Sequence, residues 1–147
     1  MAYNFRFDKI LSLKESEKDK ALSEYNEALQ KFEQAAEKLY HYLKQKEDYE
    51  EIHKEKLQFG LSIHEIRHYQ KFAANLERTI NHYQQLVLQV RRQLEIKQAK
   101  LAELNIEVKK YEKIKEKHNE AYLQTLHSNE TKFIDEISIQ QYVNRGK

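Results

Sequence analysis

The chain contains no proline, no cysteine and no tryptophan, and its two glycines stand at positions 60 and 146. Without cysteine there is no disulfide, no thiol nucleophile and no thiolate metal ligand. Two glycines cannot build the loop with which nucleotide hydrolases cradle phosphate, and no G-x-S-x-G elbow occurs. Long apolar runs are missing too, so no stretch reads as a bilayer span. The opening MAYNFRFDKILSLKES lacks a basic leader followed by an apolar run of signal-peptide length, and a cytoplasmic protein is expected. Charge of a single sign is also absent: 26 basic and 24 acidic residues give a net +2 over 147 residues. They are finely interspersed, which describes a solvated surface laced with local ion pairs and argues against a nucleic-acid partner.

What remains is a helical inventory. Charged residues make up 34% and the hydrophobic set only 39%, too little for a thick core and enough for a narrow seam. The seam is plain in the second half. Steps of three and four from Ile66 give Tyr69, Ala73, Leu76, Ile80, Tyr83, Val87, Val90, Leu94, Lys97, Leu101, Leu104, Val108, Tyr111, Lys115, His118 and Tyr122, a heptad a/d pattern interrupted by two lysines and a histidine. The first half gives Leu22, Tyr25, Leu29, Phe32, Ala36, Leu39 and Leu43. Ahead of it, the apolar stretch FRFDKILSL is followed by the polar KESEKDK, which reads as a collar between a terminal apolar patch and the main seam.

Between the halves lies HKEKLQFGLSIHEIR. Gly60 suits the left-handed residue past a helix end. Ser62 with Glu65 forms a capping box, and Leu61 can staple onto Ile66. The fold expected is all-α: two long helices in an antiparallel coiled coil, with a short helical or disordered C-terminal tail. The boundaries are helix 1 at about 5–58, a turn at 59–62, helix 2 at about 63–127 and a tail at 128–147, a single elongated hairpin with arms of roughly 80 and 95 Å at ~1.5 Å per residue. Folding about residue 61 places Leu43 near Ile80, Leu39 near Tyr83, Leu22 near Leu101 and Leu11 near Tyr111. Ser138 with Gln141 reads as a further capping box that starts the last short piece. Phe133, Ile134, Ile137, Ile139, Tyr142 and Val143 have nothing in the chain to cover them fully.

One motif points to chemistry. His64-Glu65-Ile66-Arg67-His68 spells H-E-x-x-H, which in zinc peptidases puts two metal ligands on one helix face with a general base between them. The heptad register sends both histidines outward, and a two-helix coil supplies neither a third ligand nor a cleft for substrate. The extended form of the motif wants a glycine and a third histidine where this chain has Lys71 and Ala74. The motif is read as accidental, and neither an enzyme nor a metal or cofactor is expected. Surface remains as the functional feature. Leu88, Ile96, Ala99 and Ile106 make an outward stripe on helix 2, which supports an alternative reading as a structural coiled coil that self-associates.

Two stretches carry a resemblance. FRFDKILSLKESEKDKA at 5–21 resembles the N-terminal signature of the flagellar export protein FliJ family, and HYQKFAANLERTI at 68–80 resembles its mid-chain segment, with Tyr69, Phe72 and Leu76 in place. The resemblance implies a component of the flagellar type III export apparatus, serving flagellum assembly and hence motility and chemotaxis. It also implies a likeness to the central stalk of rotary ATPases. Its implied partners are the hexameric export ATPase FliI, the export gate protein FlhA and export chaperones, with peripheral association at the inner face of the cell membrane. On these grounds the ATPase-docking tip is expected at Phe5, Phe7, Ile10, Leu11, Tyr122 and Leu126. The gate-binding face is expected at Phe72, Leu76, Thr79 and Tyr83, the last two standing where the family pattern has a small residue and a histidine.

Overall fold

A computed structural model describes residues 2–145, with side chains described from Arg6 to Arg145. Helix α1 runs over Ala2–Phe59 and helix α2 over Ile63–Arg145, and the two pack against each other. Among the described residues there is no strand. The sequence accounts for the length of both helices: no proline interrupts either, and the one glycine among the described residues falls between them.

The turn is built from local chemistry. Gly60 has φ of 90°, a conformation that costs a residue with a Cβ about 1 kcal/mol or more. Its N–H points back to the carbonyl of Leu57 at 3.4 Å. Ser62 then caps α2: its Oγ accepts from the Glu65 N–H at 3.2 Å, and its carbonyl accepts from the Ile66 N–H at 3.1 Å. These bonds satisfy donors that a helix start leaves without intrahelical partners.

The chain divides into two compact units, Asp19–Glu103 and the pairing of Met1–Lys18 with Leu104–Lys147. The first holds the turn and both adjoining arms, and its core includes Ala21, Ala35, Leu76, Ile80 and Val90. The second contains the start of α1 beside the later part of α2, with Leu11 and Val108 buried. Within each unit the pairing is antiparallel. In the turn-bearing unit Tyr42 meets Tyr83 and Glu24 meets Lys97. In the terminal unit Lys14 meets Glu107 and Asp8 meets Lys115. Tyr111, expected opposite Leu11, has Phe7 as its ring partner at 5.8 Å, one helical turn away.

Burial follows the α2 heptad throughout: every seam position from Ile66 to His118 is buried or half-buried. The α1 seam is partly rephased from the sequence reading. Tyr25, Leu29, Phe32, Ala36 and Leu39 are half-buried as expected, and Ala21, Ala28, Ala35 and Tyr42 join them, while Leu22 and Leu43 are exposed. Nor does KESEKDK interrupt it. Phe7, Leu11, Lys14, Lys18 and Ala21 continue the same spacing, all buried or half-buried, because lysine can lay its methylenes along a seam and keep its ammonium at the edge.

The end of α2 also differs from expectation. The helix continues through 128–145 with no break near residues 127, 135 or 138. Ser138 lies inside it, since a serine without a preceding glycine or proline stop is a tolerated helix interior residue. Thr125 and Thr131 each donate to the carbonyl four residues earlier, at 2.9 Å, so their hydroxyls are satisfied within the helix.

Candidate partner-binding surfaces

In the turn-bearing unit, aromatic side chains from both helices meet across the seam. His53 and Tyr69 lie face to face with ring centroids 3.4 Å apart and planes 3° apart. Tyr49 stacks on the same tyrosine at 5.3 Å and touches Phe72 at 4.2 Å. Burial raises the Tyr69 phenol above its ordinary range, with Glu50 and Tyr49 adding to the effect. Two turns further along α1, Tyr42 stacks on Tyr83 at 5.2 Å, His82 meets Tyr83 edge-on, and the Lys38 ammonium lies 5.9 Å from the Tyr83 ring centre.

This arrangement sorts the four residues expected to face the gate. Leu76 is 7% exposed and belongs to the core. Tyr83 is half-buried on Tyr42, and Phe72 is half-buried on Tyr49. Thr79 is half-buried, and its hydroxyl donates to the Asn75 carbonyl at 3.1 Å. Phe72 and Thr79 share the heptad position beside the seam, so their outer edges are the parts a partner can reach. Tyr42, Tyr49 and His53 of α1, which the sequence reading left out of the expected face, pack against Tyr83, Phe72 and Tyr69 from across the seam. Their signal was the shared spacing of seven between Tyr42 and Tyr49, masked by Leu43.

His64 and His68 are both exposed, beside a groove lined also by Tyr49, His53, Lys56, Leu61 and Tyr69. Among the described residues no group of three or more His, Cys, Asp or Glu is placed to hold a metal ion. Glu65 stands in the first turn of α2, where its backbone N–H bonds the Ser62 Oγ.

In the terminal unit the expected tip residues fall into three groups. Phe5 lies outside the residues whose side chains are described. Phe7 packs on Tyr111, and Leu11 is 6% exposed, so both hold the helix pair together and do not offer a surface. Ile10 is 42% exposed, and Tyr122 and Leu126 are similarly open. Past His118 every described residue of α2 is exposed, including Leu123, Phe133, Ile134, Ile137, Ile139, Tyr142 and Val143. Leu13, absent from the expected set, is 58% exposed and lies with Ile10 in a shallow patch bordered by Arg6 and Lys9. Ion pairs edge the seam beneath: Lys14 with Glu107 at 3.0 Å and Lys115 with Asp8 at 3.1 Å. The hydrogen bond to Glu107 raises the Lys14 ammonium above its ordinary range.

On the outer face of α2, Leu88, Ile96 and Ile106 are all more than half exposed. Among the described residues no helix is long and apolar enough to cross a membrane.

The sequence matches the family described as "Flagellar FliJ protein" over residues 3–147. A flagellar FliJ protein of Bacillus subtilis (strain 168) is 49% identical over 146 residues, spanning 99% of this chain and 99% of the relative. No solved structure matches the chain.

Proposed function

Because the chain belongs to the FliJ family of flagellar proteins, we propose that it is a component of the flagellar type III export apparatus that works by contact and carries no catalytic site of its own. Its terminal unit docks in the centre of the hexameric export ATPase FliI, its aromatic face meets the export gate protein FlhA, and it receives export chaperones. It sits in the cytoplasm, held at the inner face of the cell membrane by the gate.

The observation that carries the docking is the uncovered end of α2. Tyr122 and Leu126 begin a helix face that α1 does not reach, and Ile10 adds an open apolar side chain from α1. Apolar residues arrayed on one helix face without a partner mark an interaction surface. For the gate, the outer edges of Phe72 and Thr79 are available, and the ring stacks behind them hold the face in place.

The structure selects which substitutions test this. Leu11 is core, so changing it would confound docking with unfolding; Tyr122 and Leu126 are open. Tyr122→Ser with Leu126→Ser should retain the helical far-ultraviolet signature and lose stimulation of the purified ATPase. Full stimulation by that folded variant would refute docking through this end.

A further inference from the structure

We propose that the terminal unit pairs with the same unit of a second copy of this chain, the exposed end of α2 from each copy lying along the Arg6–Leu13 patch on α1 of the other. The inference needs no other protein, and it stands whether or not the ATPase docks on the same end.

Three observations converge on that occupant. The first is matched spacing. On α1 the exposed residues Arg6, Lys9, Ile10 and Leu13 form one stripe, and on α2 the exposed residues Glu130, Phe133, Ile134 and Ile137 repeat the same intervals. Laid side by side in the same direction, the two stripes set Arg6 against Glu130, Ile10 against Ile134 and Leu13 against Ile137, with the Lys9 stem over Phe133. Equal intervals of three and four keep such layers together along both helices.

The second is charge. The α1 patch is bordered by Arg6 and Lys9 with only serines beside them, whereas the α2 end carries Glu120, Glu130, Asp135 and Glu136 against Lys132 and Arg145. Among the described residues no ion pair engages Arg6, Lys9 or Glu130. Both surfaces therefore hold charges without partners, opposite in sign and in register. A lone apolar strip would fit many partners; the opposite charges of Arg6 and Glu130 at one matched position, and the opposite overall sign of the two surfaces, favour this one.

The third is reach. Asp8 pairs with Lys115, so residues beyond about 120 pass the start of α1. No glycine or proline stands between Leu61 and Arg145 to bend α2 back. The end of α2 cannot cover the patch of its own chain, but it can cover another's. Two chains related by a two-fold axis across α2 run their α2 helices antiparallel. Each α2 end is then parallel to the other chain's α1, the direction the matched stripes require. Each copy has one patch and one end, so the exchange is reciprocal and closes at two. In this register residues 126–145 of one copy run beside α1 of the other from residue 2 onward, roughly 30 Å of helix in each of two equivalent contacts.

The test uses the full chain alone. Sedimentation from about 1 to 100 µM should show the mass rising to two copies. Glu130→Arg and Arg6→Glu should each weaken association about tenfold or more, and the two together should restore it, with the helical far-ultraviolet signature kept throughout. Since the chain has no cysteine, Leu13→Cys chains mixed with Ile137→Cys chains should form a mixed disulfide on mild oxidation. A single-copy mass at every concentration overturns the proposal. So does association unmoved by either charge reversal, or a double reversal that fails to recover it.

Discussion

Tyr42 of α1 and Tyr83 of α2 stack across the seam with ring centroids 5.2 Å apart and planes 19° apart. The pair ties one of the expected gate-contact residues into the body of the turn-bearing unit, so a change at Tyr83 acts on packing before it acts on a partner. A double-mutant cycle with Tyr42→Ala and Tyr83→Ala should give a coupling of about 0.5–1.5 kcal/mol in urea unfolding. Additive effects of the two changes would show the stack to be energetically idle.

Neighbouring residues in the terminal unit should behave oppositely. Leu11→Ala removes a buried side chain and should lower stability by about 2–4 kcal/mol. Ile10→Ser acts on an exposed position and, at concentrations too low for copies to pair, should stay within about 0.5 kcal/mol of the parent. Thermal unfolding followed by circular dichroism distinguishes them, and equal losses would mean that the two side chains are not partitioned between core and surface as described.

How much of this was legible in the sequence differs between the helices. In α2 nearly every seam position holds an apolar or aromatic residue, so a count of threes and fours finds it despite outward Leu88, Ile96 and Ile106 and even locates Lys97, Lys115 and His118 within it. In α1 hydrophobicity misleads. Leu22 and Leu43 outrank Ala21 and Tyr42 in hydrophobicity, yet the latter pair faces α2: close antiparallel helices accept a small residue such as Ala21 where the facing side chain is large, and the Tyr42 ring stacks on Tyr83. The capped turn was readable from Gly60 and Ser62, whose chemistry is local. The extent of α2 past residue 127 was not, since Ser138 and Gln141 mimic a cap that only a preceding helix stop would make real. The candidate surfaces were legible as residue types and only in part as exposure. The heptad already set Leu76 and Tyr83 within the seam and left Phe72 and Thr79 beside it, as the burial bears out, whereas Leu11, expected at a docking tip, is core.

The ion pair between Glu24 and Lys97 at 3.1 Å should leave a mark on acid stability. The hydrogen bond from Lys97, and then its charge, hold the Glu24 carboxyl below its ordinary range. A carboxyl depressed in the folded state stabilises it above the unfolded-chain value and loses that contribution as pH falls through the folded value. The thermal midpoint of Glu24→Gln should therefore lie below that of the parent near pH 7, and the two should converge as the medium is taken below about pH 4. The pair is partly open to solvent, so the difference should be small and should shrink with added salt. A gap that persists at low pH would assign it to something other than this charge.

The central claim, that this chain serves the export machinery by contact with its ATPase, is tested most directly by the mass of the complex it forms. Light scattering on purified hexameric export ATPase mixed with the full chain should show one chain added per ring, and Tyr122→Ser with Leu126→Ser should remove that addition while leaving the ring intact. A ring whose mass is unchanged by the parent chain would contradict the account.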